Sequence, residues 1–346
     1  MIASDWVRSE RRSHGPRPLD PSRDLAQVAD LIDAAFGDEI DEEGRRVLQE
    51  MRAMSRAGPF LWLLSRTSLE FQETFGGYVW VEEGRVVGNV TLNRLTPGGH
   101  RWQISNVAVA AAHRRRGIAR RLMTCSLEHA RAQGGDWVLL QVRADNAPAI
   151  SLYKDLGFET LGGETYMAWE GTLPLRLETL AGAGLPSGYA LREIQPNEWP
   201  TEMALARAAM PPLMQWEQPV RSQHFRRSSV PGWWAFLTRR LSGREVRRLG
   251  VFDAEGELMA RLELRLKHRR RQAALRVLVA QRGRGLAERP LLRAGLAFLP
   301  DQGPFGAEAR FPADLNEVRE ALLEAGFGEK RTLVHMRLRL ETWNHR

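Results

Sequence analysis

The stretch SNVAVAAAHRRRGIARRLM, residues 105–123, changes from one hydrophobic spacing to another and restricts the fold more than any other segment. Its first part is a short apolar run, which predicts a strand, and its last part places apolar residues at helical spacing. Arg114, Arg115, Arg116 and Gly117 lie between the two. A helix start already has unpaired N–H groups and partial positive charge. Three added cations indicate either an anion bound in the loop or arginines spread into solvent.

Length and composition limit the class of protein. A chain of 346 residues exceeds one typical core and predicts two domains. The single cysteine, Cys125, excludes an internal disulfide and a cysteine-rich metal site, which fits a reducing compartment. The first residues lack the apolar core of a signal peptide, and no apolar run reaches the roughly 20 residues of a membrane span. We therefore expect a cytoplasmic protein with no membrane partner and no metal.

The positive charge lies in the second half of the chain. Residues 1–175 hold 21 Lys+Arg and 23 Asp+Glu, whereas residues 176–346 hold 29 and 19. A basic half can attract nucleic acid or an acidic surface. However, RLELRLKH and HMRLRLE place arginines at alternate positions, as solvated strand faces do, and nearly all cations are arginine. Nucleic-acid binding is therefore the less favoured interpretation.

Hydrophobic periodicity orders the first half of the chain. DLAQVADLIDAAFGD and EEGRRVLQEMRAMSRAG are predicted helices, a β-hairpin turns at Glu83-Gly84, and RWQISNVAV is a third strand. A helix then covers about residues 118–133. DWVLLQVRA is a strand, NAPAISLYKDL is a helix that Gly157 ends, and TYMAWEGTL is a closing strand.

The same order of elements returns after a small, glycine-rich segment near residue 180. It consists of a helix at QPNEWPTEMALARAAM, a hairpin turning at Glu255-Gly256, a strand at AALRVLVA, and a helix at LAERPLLRAGLAFL, followed by strand, helix and strand. We therefore predict an α/β (α+β) protein with a duplicated fold. The predicted boundaries are a polar tail 1–18, a first domain 19–178, a linker 179–188 and a second domain 189–346.

The pattern Arg114-x-x-Gly117-x-Ala119 joins the strand to the helix in the first half. Gly117 lets the backbone approach a ligand because no Cβ is in the way. The amides from Arg115 to Arg120 can converge on phosphate oxygens, and the helix dipole favours negative charge there. Ala119 keeps the helix close to the sheet. An R-x-x-G-x-A string by itself is a weak signal.

Together with QVRADNAPAISLYKDLGFE, this stretch resembles the GCN5-related N-acetyltransferase (GNAT) superfamily, which uses acetyl-CoA. The resemblance covers roughly residues 20–175. It is carried by NVAV before the loop, R-x-x-G-x-A in it, and N-A-P-A-I-x-L-Y-x-x-L-G-F later. The first half is most similar to bacterial ribosomal-protein N-alpha-acetyltransferases. The resemblance implies two tandem GNAT-like domains, each a mixed, mostly antiparallel sheet flanked by helices.

The resemblance also implies roles for single residues. The backbone of residues 107–109 would bind the pantetheine arm as an added strand, and one of its amides would stabilise an oxyanion. The amides from Arg115 to Arg120 would hold the pyrophosphate, and Asn146 would contact the arm. Tyr153 would protonate the leaving thiolate, which suits a phenol that is neutral at pH 7. The implied cofactor-binding residues are Val107, Ala108, Val109, Arg114, Arg115, Arg116, Gly117, Ile118, Ala119, Arg120 and Asn146.

The implied reaction is direct attack of a primary amine on the thioester. The glutamate common before VRA in the ribosomal-protein type is Gln141 here, which cannot act as a base. Glu73, Glu82, Glu83 and His100 are the candidate bases. The acceptor is a protein N-terminus or an amine-bearing small molecule. The small molecule is slightly favoured, because a second domain tends to close off a cleft.

Structural interpretations stay open beside these roles. Tyr153 can be a helix–sheet contact and Asn146 a helix N-cap. Cys125 is expected to pack rather than to act as a nucleophile, and His113 to lie at the surface. PGWWAFL, residues 231–237, is either core or part of an interface.

The second half carries a weaker copy of the motif. Arg282-x-x-Gly285-x-Ala287 fits the same string, but its loop is two residues shorter. Counting back from the glycine that ends the later helix, Leu322 stands where the first half has Tyr153. We therefore predict a degenerate acetyltransferase-like domain that completes the substrate cleft or stabilises the first domain. The alternative function is a non-catalytic CoA-binding sensor or interaction protein with a basic second domain.

Overall fold

The chain forms two compact units. The computed structural model describes residues 14–37, 42–56, 76–96, 98–172, 174–181, 184–226, 244–299 and 305–343. Unit 1 comprises Met1–Gln141, Pro148–Glu159 and Met336–Arg346, and unit 2 comprises Val142–Ala147 and Thr160–His335. Among the described residues, no helix combines the length and apolar character that a membrane span requires.

Unit 1 contains a five-stranded sheet in the order β1-β2-β3-β4-β5. Neighbouring strands are antiparallel except β4 and β5, which are parallel. The predicted hairpin between β2 and β3 is confirmed, with Glu83 and Gly84 at φ 50° and 76° in its turn. The elements are β1 (Gly15–Pro18), α1 (Pro21–Phe36), α2 (Glu42–Ser55), β2 (Gly77–Glu82), β3 (Arg85–Arg94), β4 (Arg101–Val109), α3 (Ile118–Ala132), β5 (Trp137–Arg143) and α4 (Ala147–Asp155).

Helices cover both faces of this sheet. The apolar face of α1 joins strand residues such as Val79 and Val81 in one buried cluster. On the other face α3 lies so close to β3 that a Cβ added to Gly88 would stand 2.9 Å from Ile118 Cγ2 and 3.0 Å from Leu122 Cδ1. Only glycine therefore permits this approach.

The predicted polar tail is wrong for its last residues, because Gly15–Pro18 form β1. Arg17 is buried there and donates two hydrogen bonds to the buried Asp24 carboxylate, at 2.6 and 2.7 Å. A strand of four residues with a charged residue gives no period-2 signal, so the sequence does not reveal it. Arg17 is buried because it pairs with a residue elsewhere in the chain.

Unit 2 contains a sheet in the order β6-β11-β10-β9-β8-β7. The neighbours β10 and β11 are parallel, and the other pairs are antiparallel. The short β7 was not predicted. The elements are β6 (Glu159–Trp169), β7 (Ala190–Glu193), α5 (Trp199–Ala209), α6 (Pro212–Glu217), β8 (Arg244–Phe252), β9 (Leu258–Lys267), β10 (Gln272–Val279), α7 (Glu288–Leu296), β11 (Gly306–Pro312), α8 (Asn316–Glu324) and β12 (Gly328–Arg339).

The two faces of the unit 2 sheet differ in chemistry. One face is apolar and forms a large buried cluster with α7 and α8, in which Leu262 and Leu275 meet Leu291 and Leu322. The strict alternation of β9 and β10 places Glu263 and other charged side chains on the opposite face. That face carries the arginines of RLELRLKH, whereas the arginines of HMRLRLE lie on β12.

The strand TYMAWEGTL was predicted to close the first half, and this prediction is wrong. Its strand β6 pairs antiparallel with β11, so residues 160–169 group with unit 2. Residues 336–346 group with unit 1, where Leu340 N–H donates to the Asp136 carbonyl at 2.9 Å. Periodicity defines the faces of a strand but not its neighbour. The domain boundaries at 178 and 189 stay a prediction about the duplicated sequence.

Candidate functional site

The end of β4 is separated from β5. The two strands pair in parallel for four residues, and the last pair is Ile104 with Leu140. Beyond it Asn106 has φ 51°, and the register on β3 shifts. Such an irregularity bends a strand and stops its pairing. The backbone of residues 107–109 therefore continues past the last residue paired with β5.

Asn89 holds this irregularity from the neighbouring strand β3. Its side chain is fully buried, and Nδ2 donates to the Asn106 carbonyl at 3.0 Å. A buried amide side chain needs such a partner to offset its desolvation. Sequence reasoning missed Asn89, although a polar residue inside the apolar run VVGNVTL is a signal that could have identified it.

The loop after β4 forms by a defined series of turns. A 3-10 turn over residues 111–113 follows the strand, and Arg114 Nε donates to the Val109 carbonyl at 3.1 Å. Arg115 then adopts φ 64° and Gly117 φ 76°, both in the left-handed region. A Cβ at Gly117 would meet nothing within 4 Å. The space in front of this glycine is therefore open.

The N–H groups of residues 115–120 run from the loop into the first turn of α3. The first paired amide of α3 is that of Arg121, which donates to the Gly117 carbonyl at 3.0 Å. In the described part of the chain, no protein acceptor lies on the amides of residues 115–120. Six backbone donors at the positive end of a helix dipole suit a phosphate or other anion.

The side chains around the loop form polar pairs. Partly buried Glu82 lies 3.3 Å from His113 and 3.6 Å from Arg116, and exposed Arg120 pairs with Asp155 at 2.8 Å. An exposed pair such as the last contributes little. Because the Glu82 carboxylate already faces Arg116 and His113, its position does not favour it as a base.

Tyr153 is the buried ionisable group of α4. Its residue is 5% exposed, and its ring lies 6.0 Å from that of Phe158. Burial raises the pKa of the Tyr153 phenol to about 12. In the described part of the chain its hydroxyl has no hydrogen-bond partner. The phenol is therefore neutral at pH 7 and able to donate a proton.

The predicted site residues fall into two groups. Unit 1 brings together residues 107–109, the loop 114–120 and Tyr153. Asn146 is exposed and groups with unit 2, where its N–H donates to the Arg143 carbonyl at 3.1 Å. Among the described residues, no cluster of His, Cys, Asp or Glu is placed to hold a metal ion.

The remaining candidates have plain surroundings. Glu83 is an exposed turn residue, and His100 is an exposed residue whose Nδ1 lies 2.8 Å from the Gly134 carbonyl oxygen. Burial raises the pKa of the Cys125 thiol, as expected for a packing residue rather than a nucleophile. Glu73 and the segment 231–237 lie outside the described residues.

The loop 280–288 of unit 2 begins in the same way as the loop of unit 1. The alanine after each strand donates its N–H to the adjacent strand, Ala110 to Val87 and Ala280 to Met259, at 2.8 Å in both. A 3-10 turn follows in each. The string match aligns Arg282 with Arg114, but the residue that ends the turn in unit 2 is Arg284. The string match is misaligned because the two missing residues fall after the turn.

The N–H groups of residues 285–287 in this second loop donate to acceptors within the protein. Gly285 keeps φ 78°, and its N–H donates to Glu288 Oε1 at 3.1 Å. The N–H groups of Leu286 and Ala287 donate to the Gly283 carbonyl at 3.3 and 3.0 Å. Glu288 is 2% exposed, and burial raises the pKa of its carboxyl although the loop amides oppose this.

The site thus combines a parallel strand pair that ends after four residues with a glycine loop and a helix start, an arrangement that suits an anionic ligand. The description "Acetyltransferase (GNAT) family" belongs to the family model that matches residues 37–158. The chain is 33% identical over 116 residues to the N-alpha-acetyltransferase RimI of Mycobacterium tuberculosis, covering 33% of this chain and 71% of that protein. The chain therefore belongs to the GNAT acetyltransferase family.

Other relatives extend the comparison. The chain is 40% identical over 155 residues to the mycothiol acetyltransferase of Thermobifida fusca, covering 45% of this chain and 40% of that protein. It spans less than half the length of the mycothiol acetyltransferases it matches. A GCN5-related N-acetyltransferase structure from Sphaerobacter thermophilus shares the fold with a TM-score of 0.55 at 16% identity, covering 94% of this chain and 95% of that one. The predicted fold class is confirmed.

Proposed function

We propose that the protein is an acetyl-CoA-dependent N-acetyltransferase whose catalytic site lies in unit 1. The observation that carries this proposal is the set of six amides of residues 115–120, which have no protein acceptor in the described chain. Most of these residues are exposed and lie at the positive end of a helix dipole, so an anionic ligand can replace water on their amides.

The residues present fit this cofactor. The loop amides would hold its diphosphate, and the arginines 114–116 would add attraction that salt screens. The backbone of Val107–Val109 would hydrogen-bond the pantetheine arm, with a side-chain contact from Asn146. Acetyl-CoA, when bound, supplies a thioester that an amine can attack directly.

Tyr153 is the proposed general acid. Because burial raises its pKa to about 12, the phenol keeps its proton at neutral pH until a stronger base forms beside it. A departing thiolate is such a base while it is held out of water. The Tyr153 ring is buried and lies next to that of Phe158, which limits the positions that the phenol can take.

The proposed acceptor is a primary amine, and we favour a small molecule over a protein N-terminus. The relatives named mycothiol acetyltransferase support the small molecule, whereas the relative named RimI supports the N-terminus. Within this proposal unit 2 is a degenerate domain, since Glu288 occupies its loop and the apolar Leu322 lies where unit 1 has Tyr153. We place the enzyme in the reducing cytoplasm, on the basis of its single cysteine.

The experiment that tests the proposal measures acetyl transfer to a panel of amines and peptides by mass spectrometry of the products. Tyr153→Phe is expected to lower kcat by roughly 10²- to 10⁴-fold with little change in CoA affinity. Tyr78→Phe is the control at a second phenol, because Tyr78 is half-buried and also has a pKa raised to about 12, with its hydroxyl 3.1 Å from His129 Nδ1. It is expected to leave kcat near that of the wild type.

Two outcomes would contradict the proposal. Equal turnover of Tyr153→Phe and wild type would remove Tyr153 as the acid. Tight CoA binding without turnover on any amine would favour the alternative, a CoA-binding sensor. Gln141 in place of a glutamate is the observation that favours that alternative.

A further inference from the structure

A large cavity lies in unit 2 and is not used by the proposed reaction. Its volume is about 1020 Å³, which is at the upper end for small-molecule sites. The apolar part of its wall comes from α5, α6 and the segments around them and from the ends of β10 and β11. It includes Met210, Met214, Val220, Phe225, Leu278 and Phe311.

A row of charged residues crosses the sheet beneath this cavity. The strand registers place Arg248, Glu263, Arg276, Arg310 and Tyr166 opposite one another on β8, β9, β10, β11 and β6. Residues directly opposite in a sheet share one face and lie within contact distance. Three of them, on β9, β10 and β11, line the cavity.

The carboxylates of the cavity wall are already neutralised. Glu263 is paired with Arg248 at 2.7 Å and Arg265 at 2.6 Å, and also with Arg261. Burial opposes its ionisation, but the surrounding arginines lower the pKa of Glu263 to about 2. Its charge is therefore fixed and satisfied.

The other two carboxylates are satisfied in the same way. Glu164 is paired with Arg310, and Asp314 with Arg284 of the second loop. Five arginines line the cavity against these three carboxylates and the buried Glu202, which pairs with Arg261 at 2.9 Å, so the wall still carries an excess of positive charge.

Arg276 and Arg221 carry this excess, because no ion pair joins either of them to a carboxylate in the described part of the chain. Arg276 is exposed to the cavity from the sheet. Its ionisable neighbour Tyr166 has a pKa raised by burial, so that phenol is neutral at pH 7. Arg310 and Glu263 lie directly opposite Arg276, and both are already held in ion pairs with other residues. An anion on Arg276 would therefore meet a cation that has no carboxylate partner of its own in the described part of the chain.

We propose that the cavity of unit 2 binds an amphipathic carboxylate, with its anionic group on Arg276 and its apolar body against Met210, Met214 and Phe225. The inference goes beyond the acetyltransferase activity and does not depend on it. A diphosphate is not the favoured anion, because Glu288 already accepts from Gly285 N–H in the adjoining loop.

The test is calorimetric titration of the full chain with 4-phenylbutyrate and with its matched amide and amine. The carboxylate is expected to bind at one site per chain, more weakly at high salt, and at least tenfold tighter than the other two. Arg276→Gln is expected to weaken carboxylate binding at least tenfold, and Arg276→Lys to retain part of it. Arg270→Gln, an exposed arginine that does not line the cavity, is the control for lost charge and is expected to change nothing.

The proposal is overturned if the amide or amine binds as well as the carboxylate, or if Arg276→Gln binds like the wild type. It is also overturned if CoA displaces the carboxylate from a variant such as Gly117→Glu, since CoA would then occupy the cavity. Failure of acetyl transfer would leave these titrations unaffected, so the two proposals fail separately.

Discussion

The two loops that follow β4 and β10 start alike and end differently. Both open with an alanine bonded to the neighbouring strand and a 3-10 turn, and Arg114 and Arg284 end these turns in the same extended conformation. Unit 1 then has two more residues and six open amides. Unit 2 lacks those residues, and Glu288 occupies the amide of Gly285. The absence of two residues, together with one acidic side chain, thus distinguishes a self-capped helix start from a loop whose amides are open.

The later helices make the same point. Phe158 N–H donates to the Tyr153 carbonyl at 2.9 Å, and Phe327 N–H donates to the Leu322 carbonyl at 2.9 Å. The backbone frame is the same while the side chain changes from a phenol to an apolar group. The frame is held by main-chain bonds and packing, which do not depend on the chemistry of that position.

The buried ionisable groups differ between the units as well. Unit 1 holds Tyr153 as a neutral acid. Unit 2 holds His335, fully buried, with Nδ1 2.8 Å from Glu217 and Nε2 3.6 Å from Glu164. A neutral group keeps a proton available, whereas a paired cluster fixes its charges and supports structure.

The largest expected effect is on CoA binding and distinguishes the glycines of the two loops. Gly117→Glu is expected to abolish CoA binding, since it places a carboxylate where the loop amides face an anion. Gly285→Glu is the matched control, with φ 78° against 76° and open space at both. Calorimetry and native mass spectrometry should give one CoA per chain for the wild type and for Gly285→Glu. Because both variants add similar backbone strain, retained CoA binding in Gly117→Glu would remove the loop assignment.

The next effect is the pH dependence of stability in unit 2. The two glutamates raise the pKa of His335 to about 9, although burial opposes this. Protonated His335 therefore stabilises the fold fully below about pH 6.5, and this contribution, on the order of 3 kcal/mol, is lost as pH rises to 9. Urea unfolding should show His335→Gln much less stable at pH 6 and equal to the wild type near pH 10.

A half-exposed histidine–glutamate pair is the control for this measurement. His268 lies 3.3 Å from Glu245, and His268→Gln is expected to leave the pH profile unchanged. If the wild type is equally stable from pH 6 to 10, the paired cluster does not hold its proton as described.

The smallest effect concerns the self-capped loop. Glu288→Ala is expected to lower the free energy of unfolding by about 1–2 kcal/mol, since the Gly285 amide loses its acceptor. Glu255→Ala removes an exposed carboxylate and should have little effect. The CoA stoichiometry of Glu288→Ala should stay at one, because the counterparts of Arg115 and Arg116 are absent. A second bound CoA would show that Glu288 alone closes the loop.

Much of the fold follows from local pattern. The helix at 118–132 and the hairpins at Glu83-Gly84 and Glu255-Gly256 were predicted within a few residues, since apolar spacing and turn residues act within one element. The strand at Gly15–Pro18 and the buried pair of Arg17 with Asp24 were not. Their burial depends on a partner that no local pattern reveals.

The residues of the candidate site also differ in whether a local pattern reveals them. The sequence was enough to propose the loop, because a glycine between a strand and a helix is a local signal. It was also enough to propose Tyr153, because a tyrosine at a set distance before the glycine that ends its helix is a local signal too. Asn89 was missed, since its role is to hold an irregularity in a different strand. The alignment of Arg282 with Arg114 was wrong for a related reason. The R-x-x-G-x-A motif does not show whether the two missing residues fall before or after the 3-10 turn.

The sequence by itself determined most of the elements, their duplicated order and the residue types at the loop, since these follow from periodicity and from the chemistry of single side chains. Only the tertiary structure decided that β1 and β7 form, that the second loop is filled by Glu288 and that β6 pairs with β11. It also decided that Arg276 and Arg310 stand opposite each other beneath a cavity. These features depend on which strands pair with each other. Strand pairing depends on packing across the whole chain and not on any one segment.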